Sequence, residues 1–392
     1  MDKKSVRDLD VGGKRVLVRV DFNVPVKGGE ATDDTRIRRA LPTIEHLLAQ
    51  GAKPALISHL GRPKGAPDPK YAMDPVARRL GELLDGPVEK LDTAVGPELE
   101  EALGNIPEGG VVLLENSRFY PGETKNNPEF SEGLAAPFEL YVNDAFGAAH
   151  RAHATTVGVA ERLPSAAGFL MAEELDNLDE LLRDPGRPFV AILGGAKVSD
   201  KLGVIESLLG VADTLLIGGA MCFTFFKAQG YEIGNSLVED DYLEEAKRLM
   251  GEAGEKLVLP VDVVVAEKMA EGAETETVGV EDIPAGQMGL DVGPRTVEEF
   301  RSHIGGARTI FWNGPMGVFE IEAFAEGTEG VARAVADSAA RSVVGGGDSV
   351  AAVAKLGLED EMGFISTGGG ASLEYIEGKE LPGVAVLPKG EA

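Results

Sequence analysis

Short runs of Val, Leu, Ile and Ala alternate along this chain with stretches in which apolar residues recur every three or four positions. In the first half the runs fall at Arg15 to Asp21, Pro54 to Ser58, Val111 to Glu115 and Glu139 to Asn143, and helical spacing lies between them at Asp34 to Gln50 and Asp74 to Leu84. The second half repeats the rhythm with Phe189 to Leu193, Thr214 to Ile217, Lys256 to Pro260, Thr309 to Trp312, Ser342 to Val344 and Phe364 to Ser366. Continuous apolar runs read as strands buried on both faces. Their alternation with helices predicts an α/β fold of two doubly wound lobes, each a parallel sheet covered by helices.

The break is expected after MAEELDNLDELL, a helical stretch that RDPGRP ends with Pro185, Gly186 and Pro188. This predicts an N-terminal lobe over 1–170, a connecting helix and hinge over 171–188, and a C-terminal lobe from 189 to 378. A length of 392 residues agrees with two domains, and 51 glycines suit many strand-to-helix turns. GAETETVGVEDIPAG reads as an exposed hairpin or loop. No run of about 18 apolar residues occurs, and MDKKSVRDLD lacks the apolar core of a secretory signal, so a cytoplasmic protein with no membrane segment is expected.

A formal charge of -27 argues against nucleic acid as a partner and makes any cluster of Arg and His conspicuous. Cys222 is the single cysteine, which excludes an internal disulfide and a cysteine metal cluster; within GGAMCFTFF it reads as a small buried hydrophobe.

Ligands of open parallel sheets bind beyond the carboxyl ends of the strands, so the polar residues there carry the chemistry. In the first half these are Asp21 and Asn23 of RVLVRVDFNVP, Arg36 near the start of a helix capped by Asp33 or Asp34, and His59 and Arg62 of SHLGRP. Arg118 of LLENSRF and His150, Arg151 and His153 of AAHRAH complete the set. Each alone is compatible with a turn, a solvated helix cation or a surface histidine. Together on one rim they suit a small phosphorylated carboxylic acid, because guanidinium forks match phosphate and carboxylate oxygens.

In the second half, AILGGAKVSDK places Lys197 before a helix and Lys201 in its first turn, with Ser199 expected as the N-cap. Cations crowding a helix N-terminus, where the dipole disfavours them, suggest an anion to meet. TIFWNGPMGVFE offers Asn313 and Glu320. RSVVGGGDSVAAVAKLG places Gly345 to Gly347 before a helix as an anion cradle, with Asp348 either the helix N-cap or a magnesium ligand. STGGGASLE repeats the strand, glycine and helix pattern. Neither G-x-x-x-x-G-K-S/T nor G-x-G-x-x-G is present where it would be needed.

In this order and spacing RVDFNVP, DDTRIR, SHLGRP, LLEN followed by RF, VNDAFGAAHRAH, LGGAKVSDK, NGPMGVFE, GGGDS and STGGGASLE resemble the phosphoglycerate kinases, in their compact bacterial form. The resemblance implies a hinge-bending, monomeric enzyme that interconverts 3-phosphoglycerate plus ATP with 1,3-bisphosphoglycerate plus ADP. It implies that Asp21, Asn23, Arg36, His59, Leu60, Gly61, Arg62, Arg118 and Arg151 bind the three-carbon acid. It further implies that Lys197, Lys201, Gly289, Asn313, Glu320, Gly346, Gly347, Asp348 and Ser349 serve the nucleotide, with Asp348 at Mg²⁺, and that the tail over 379–392 returns to the N-terminal lobe. Ser117, Tyr120 and Ser349 stand where the family usually carries Leu, His and Thr. The acceptor carboxylate is ionised at neutral pH, so no general base is expected, and Arg36 and Lys197 are expected to hold the transferred group. A kinase for another acyl phosphate, and a two-lobe binding protein without catalysis, are the alternative readings.

Overall fold

The computed structural model describes residues 2–390, so Met1, Glu391 and Ala392, the ends of the predicted first lobe and tail, lie outside the described residues. The chain divides into two compact units. One holds the stretch up to Asp176 together with that from Glu380, and the other is Asn177–Lys379. The division falls inside a helix, Phe169–Arg183, which ends before Pro185 and Gly186.

The first unit is built on a six-stranded sheet, ordered in space as Val88–Lys90, Val111–Leu113, Lys53–Ile57, Arg15–Arg19, Leu140–Asn143 and Ser165–Ala167. All of its pairings are parallel. Val88–Lys90 and Ser165–Ala167 are edge strands that the apolar pattern misses, since VEK and SAA hold a single large apolar residue between them. The helix Thr35–Ala49 buries Ile37, Ala40, Ile44 and Leu47, the i, i+3, i+4 stripe that its sequence predicts. It packs on Val16, Val18 and Leu56 of the central strands. The C-terminal stretch closes on this unit: Gly383 N–H donates to Ala149 O at 2.8 Å and Lys4 N–H donates to Pro388 O at 2.9 Å.

The second unit repeats the plan with the order Leu257–Val258, Thr214–Ile217, Phe189–Leu193, Thr309–Asn313, Arg341–Gly345 and Phe364–Ile365, again wholly parallel. An antiparallel sheet is added in which Asp262–Ala266 lies between Glu276–Gly279 and Met288–Val292. Of the hairpin or loop expected at GAETETVGVEDIPAG, the hairpin is found: Glu276–Gly279 pairs antiparallel along Asp262–Val265. Its alternation is weak in sequence because no residue of this edge strand is fully buried. No described helix is long and apolar enough to cross a membrane.

In both sheets the chain runs outward one way from a central strand and later resumes on that strand's other side. The points of reversal lie between Arg15–Arg19 and Leu140–Asn143, and between Phe189–Leu193 and Thr309–Asn313. A crevice opens at the carboxyl ends of such a pair because the two following connections leave toward opposite faces.

Candidate active site

At the first crevice the polar residues interlock. Arg36, second residue of the helix Thr35–Ala49, donates from Nη1 to Asp21 Oδ2 at 3.1 Å and to the Asn23 carbonyl at 3.3 Å. Asn23 Oδ1 accepts the Gly61 N–H at 2.8 Å, and the Gly61 carbonyl accepts from Arg118 Nη1 at 2.7 Å. Gly61 has φ +62°, and a Cβ there would meet the Tyr71 ring at 2.3 Å, so this link requires glycine. Leu60 is buried, and its carbonyl accepts from Asn116 Nδ2 at 2.7 Å, which fixes the SHLGRP loop. Arg62 and Arg151 are exposed at the same loops.

Beneath the rim lies a cation that the sequence reading did not assign. Arg19 is 1% exposed; its Nε donates to Thr155 Oγ1 at 2.9 Å, and that hydroxyl donates to the fully buried Glu123 at 2.6 Å. Its Nη2 donates to His59 Nδ1 at 3.1 Å. A guanidinium has only donors, so His59 must be neutral with its proton on Nε2. The signal was visible: an Arg within the apolar run RVLVRV requires a buried partner.

The electrostatics follow from burial and crowding. Burial would push the Asp21 carboxyl up, but the Arg36 and Arg19 guanidinium groups outweigh it and hold Asp21 below its ordinary value. Burial drives His59 well below its ordinary value, and only Asp21 pulls the other way against Arg19, Arg118 and Arg36. His153 falls to about 4, through burial and then Arg19, Arg118 and Arg151. Arg118 is itself lowered by burial and by Arg19, and its Nε is buried without a partner among the described residues. Both histidines are neutral near neutral pH.

The sign of the resulting pH dependence is set by the depressed values. As pH falls below 6.5 the unfolded chain protonates His153 first, so stability present above pH 6.5 is lost progressively toward about pH 4. Urea denaturation of His153→Gln should show a shallower loss across that window. An unchanged slope would remove His153 from the account.

In the second unit the strand ends meet backbone to backbone. A Cβ on Gly194 would lie 2.1 Å from the Pro315 carbonyl, so the turn after Phe189–Leu193 tolerates no side chain. Beyond it the structure departs from expectation. The helix starts at Leu202 with Lys201 in the N-cap position, and Ser199 is not the cap. The Ser199 N–H and hydroxyl both donate to Glu239, at 3.0 and 2.5 Å, and this carboxylate from another segment takes up the groups that a local cap would have used.

Lys197 is exposed. Lys201 donates to Asn313 Oδ1, and Asn313 Nδ2 donates to the Gly345 carbonyl at 2.8 Å. Burial lowers the Lys201 pKa, opposed by Asp200, Asp348 and Glu377. Gly346, at φ +90°, caps the helix Gly347–Leu356, and a Cβ there would lie 2.6 Å from Asn313 Nδ2. Asp348 is thus in the first turn and is not the N-cap. It is exposed, beside the backbone donors of the cradle. Ser349 points the other way: it is fully buried, and its hydroxyl accepts the Gly314 N–H at 2.6 Å. It braces the Asn313 turn from below.

A cavity of ≈ 490 Å³ adjoins these residues, lined by Gly195, Phe223, Leu237, Met288 and Gly289 along its apolar side and by Glu320 and Asp348 at its polar end. Gly289 lies against Phe223, where a Cβ would come within 2.0 Å of the ring, so the flat slot depends on glycine. Asp291, which also lines it, is a second unforeseen residue. Burial raises its carboxyl to about 8 despite the N–H groups of Gly327 and Val292.

The two units differ in chemistry: one carries an arginine rim around a pinned carboxylate, and the other an apolar slot, with Glu320 and Asp348 in its lining, beside a loop that carries Lys197 and leads into Lys201. The family model described as phosphoglycerate kinase matches residues 6–379. The chain is 78% identical to the phosphoglycerate kinase of Rubrobacter xylanophilus, with all of both chains covered, and 56% identical to that of Thermosipho africanus, over 99% of this chain and 98% of the relative. Among solved structures it resembles the phosphoglycerate kinase of Coxiella burnetii, with a TM-score of 0.88 at 42% identity, and that of Pyrococcus horikoshii, with 0.84 at 35%; each match covers 98% of both chains. With this family's fold and sequence over nearly its whole length, the chain belongs to the phosphoglycerate kinases, and its activity is the glycolytic transfer of a phosphoryl group between ATP and 3-phosphoglycerate.

Proposed function

We propose that the arginine rim of the first unit binds 3-phosphoglycerate, through Asp21, Asn23, Arg36, His59, Leu60, Gly61, Arg62, Arg118 and Arg151. The slot and lysine loop of the second unit then bind the nucleotide through Lys197, Lys201, Gly289, Asn313, Glu320, Gly346, Gly347 and Asp348. The observation that carries this reading is Arg118 Nε, a buried N–H without a partner among the described residues, on a guanidinium that burial, Arg19 and Arg62 all depress. Such a donor is costly to bury and is satisfied by an anion.

The residues fit magnesium in one way. No described group of three or more His, Cys, Asp or Glu is arranged to hold a metal, but a lone exposed carboxylate at a phosphate cradle suits an ion held mainly by phosphate and water. Asp348 would hold that ion, which would neutralise phosphate charge. The chain's own residues do the rest. The acceptor carboxylate needs no base, so the demand is positioning and charge stabilisation. Arg36, held through Nη1 by Asp21, presents its guanidinium to the phosphoryl group, Lys197 approaches it from the nucleotide side, and Lys201 is aligned by Asn313. Transfer requires donor and acceptor oxygens to meet with water excluded, so the reading includes closure of the two units about the connecting helix. It also takes the enzyme to be a cytoplasmic monomer that uses Mg²⁺ with ATP or ADP.

The test separates the two sites. In calorimetry Lys201→Ala should weaken ATP binding and leave 3-phosphoglycerate binding unchanged, while Arg118→Ala should do the reverse. An unchanged ATP affinity in Lys201→Ala would refute its place at the nucleotide.

A further inference from the structure

The helix Leu202–Val211 has no side-chain cap of its own, and the loop before it, which carries Lys197 and leads into Lys201, is held from outside. Glu239 accepts both the Ser199 N–H and its hydroxyl, two residues from each lysine. The segment that carries Glu239 is itself tied down. Glu239 N–H donates to the buried Thr224 hydroxyl at 3.1 Å on the helix Cys222–Ala228, and Lys227 of that helix donates to Asp240 at 2.7 Å. Three residues earlier, Ser236 Oγ accepts the N–H of Gly289 at 2.9 Å, and Gly289 is the glycine that flattens the slot against Phe223. One short segment therefore grips the slot wall at Ser236 and the lysine loop at Glu239.

We infer that Glu239 is a positioning residue for phosphoryl transfer: through Ser199 it fixes the direction of the lysine loop relative to the wall of the apolar slot. The inference rests on the reading of Lys197 and Lys201 as phosphate ligands. A serine hydroxyl and N–H both donated to a single carboxylate leave the loop little freedom to swing. The carboxylate is in turn occupied and kept off the lysines, where it would compete with phosphate. Releasing it frees a loop whose cation must lie within a fraction of an ångström of its target, and misplacement of that order costs up to about a hundredfold in rate.

The test compares purified Glu239→Gln, Ser199→Ala, the double variant and Lys197→Ala by steady-state kinetics. A glutamine side chain has one acceptor oxygen for two donors, so Glu239→Gln should lower kcat about tenfold while the KM for 3-phosphoglycerate stays within about twofold. Ser199→Ala should lower kcat by about threefold, and the double variant should be no slower than Glu239→Gln alone, because both remove one link. Multiplicative effects in the double variant, or wild-type kcat in Glu239→Gln, would overturn the inference. A loss of folded protein with unchanged kcat per folded molecule would overturn it too. Should Glu239→Gln not fold, Ser199→Ala decides alone: kcat reduced with the KM for 3-phosphoglycerate unchanged supports the link, and unchanged kcat refutes it. Lys197→Ala separates the two levels. If its kcat is near wild type, the reading of the lysines fails and the inference with it; if it is slow while Glu239→Gln is not, only the inference fails.

Discussion

Arg36→Ala is expected to lose about 2 to 4 kcal/mol of transition-state stabilisation, the magnitude seen when one donor to a developing charge is removed. In kcat/KM this is roughly a 30-fold to 1,000-fold decrease. The side chain is placed for the role by its neighbours. Asp21 and the Asn23 carbonyl hold one nitrogen of the fork, and Asp21 stays ionised because the surrounding cations outweigh its burial. Arg36→Lys should recover little, since an ammonium cannot span carboxylate and phosphate as a planar fork does. The effect should fall on kcat more than on the KM for ATP, because the nucleotide is assigned to the other unit. Turnover near wild type in Arg36→Ala would remove it from the reaction.

Trp312→Ala is expected to destabilise the second unit by about 3 to 5 kcal/mol, the usual range for deleting a fully buried aromatic ring. Trp312 is 0% exposed on the strand Thr309–Asn313, packed within the core with Ile192, Phe300 and Val344. Its Nε1 also donates to the Gly314 carbonyl at 2.8 Å, so the substitution leaves a cavity and releases the turn that presents Asn313. A chain of two units need not unfold in one step, so the readout is local. Hydrogen exchange should show lost protection in Phe189–Leu193, the neighbouring strand, while Arg15–Arg19 keeps its own. Equal loss in both strands, or none, would contradict the placement of this effect in the second core.

These two residues illustrate what could be read in advance. TIFWN is an apolar run, so Trp312 was legible as core, and Asn313 as the polar residue at its end. From its local pattern Arg36 was legible as a cation near a helix start, and its role came from the family resemblance; its pairing with Asp21, 15 residues away, depends on how the strand end meets the helix. Ser199 shows the opposite failure. Its local pattern suited an N-cap, but Glu239, 40 residues on, offered a carboxylate to the same donors, and a charged acceptor outcompetes a local turn. Ser349 likewise kept its hydroxyl where expected in sequence, but the helix turns it inward to Gly314.

By itself the sequence determined the α/β alternation, the two parallel sheets and the residues at their strand ends, because buried strands need continuous apolar runs and sharp turns need glycine, and both are local properties. Tertiary structure alone decided which polar groups face each other. Arg19 under His59, Glu239 on Ser199 and Gly327 on Asp291 are all contacts between residues distant in sequence, set by strand order and by the closing of each core. The residue types suggested an anion-binding chemistry, and the folded positions decided that Arg118 Nε is buried without a partner among the described residues.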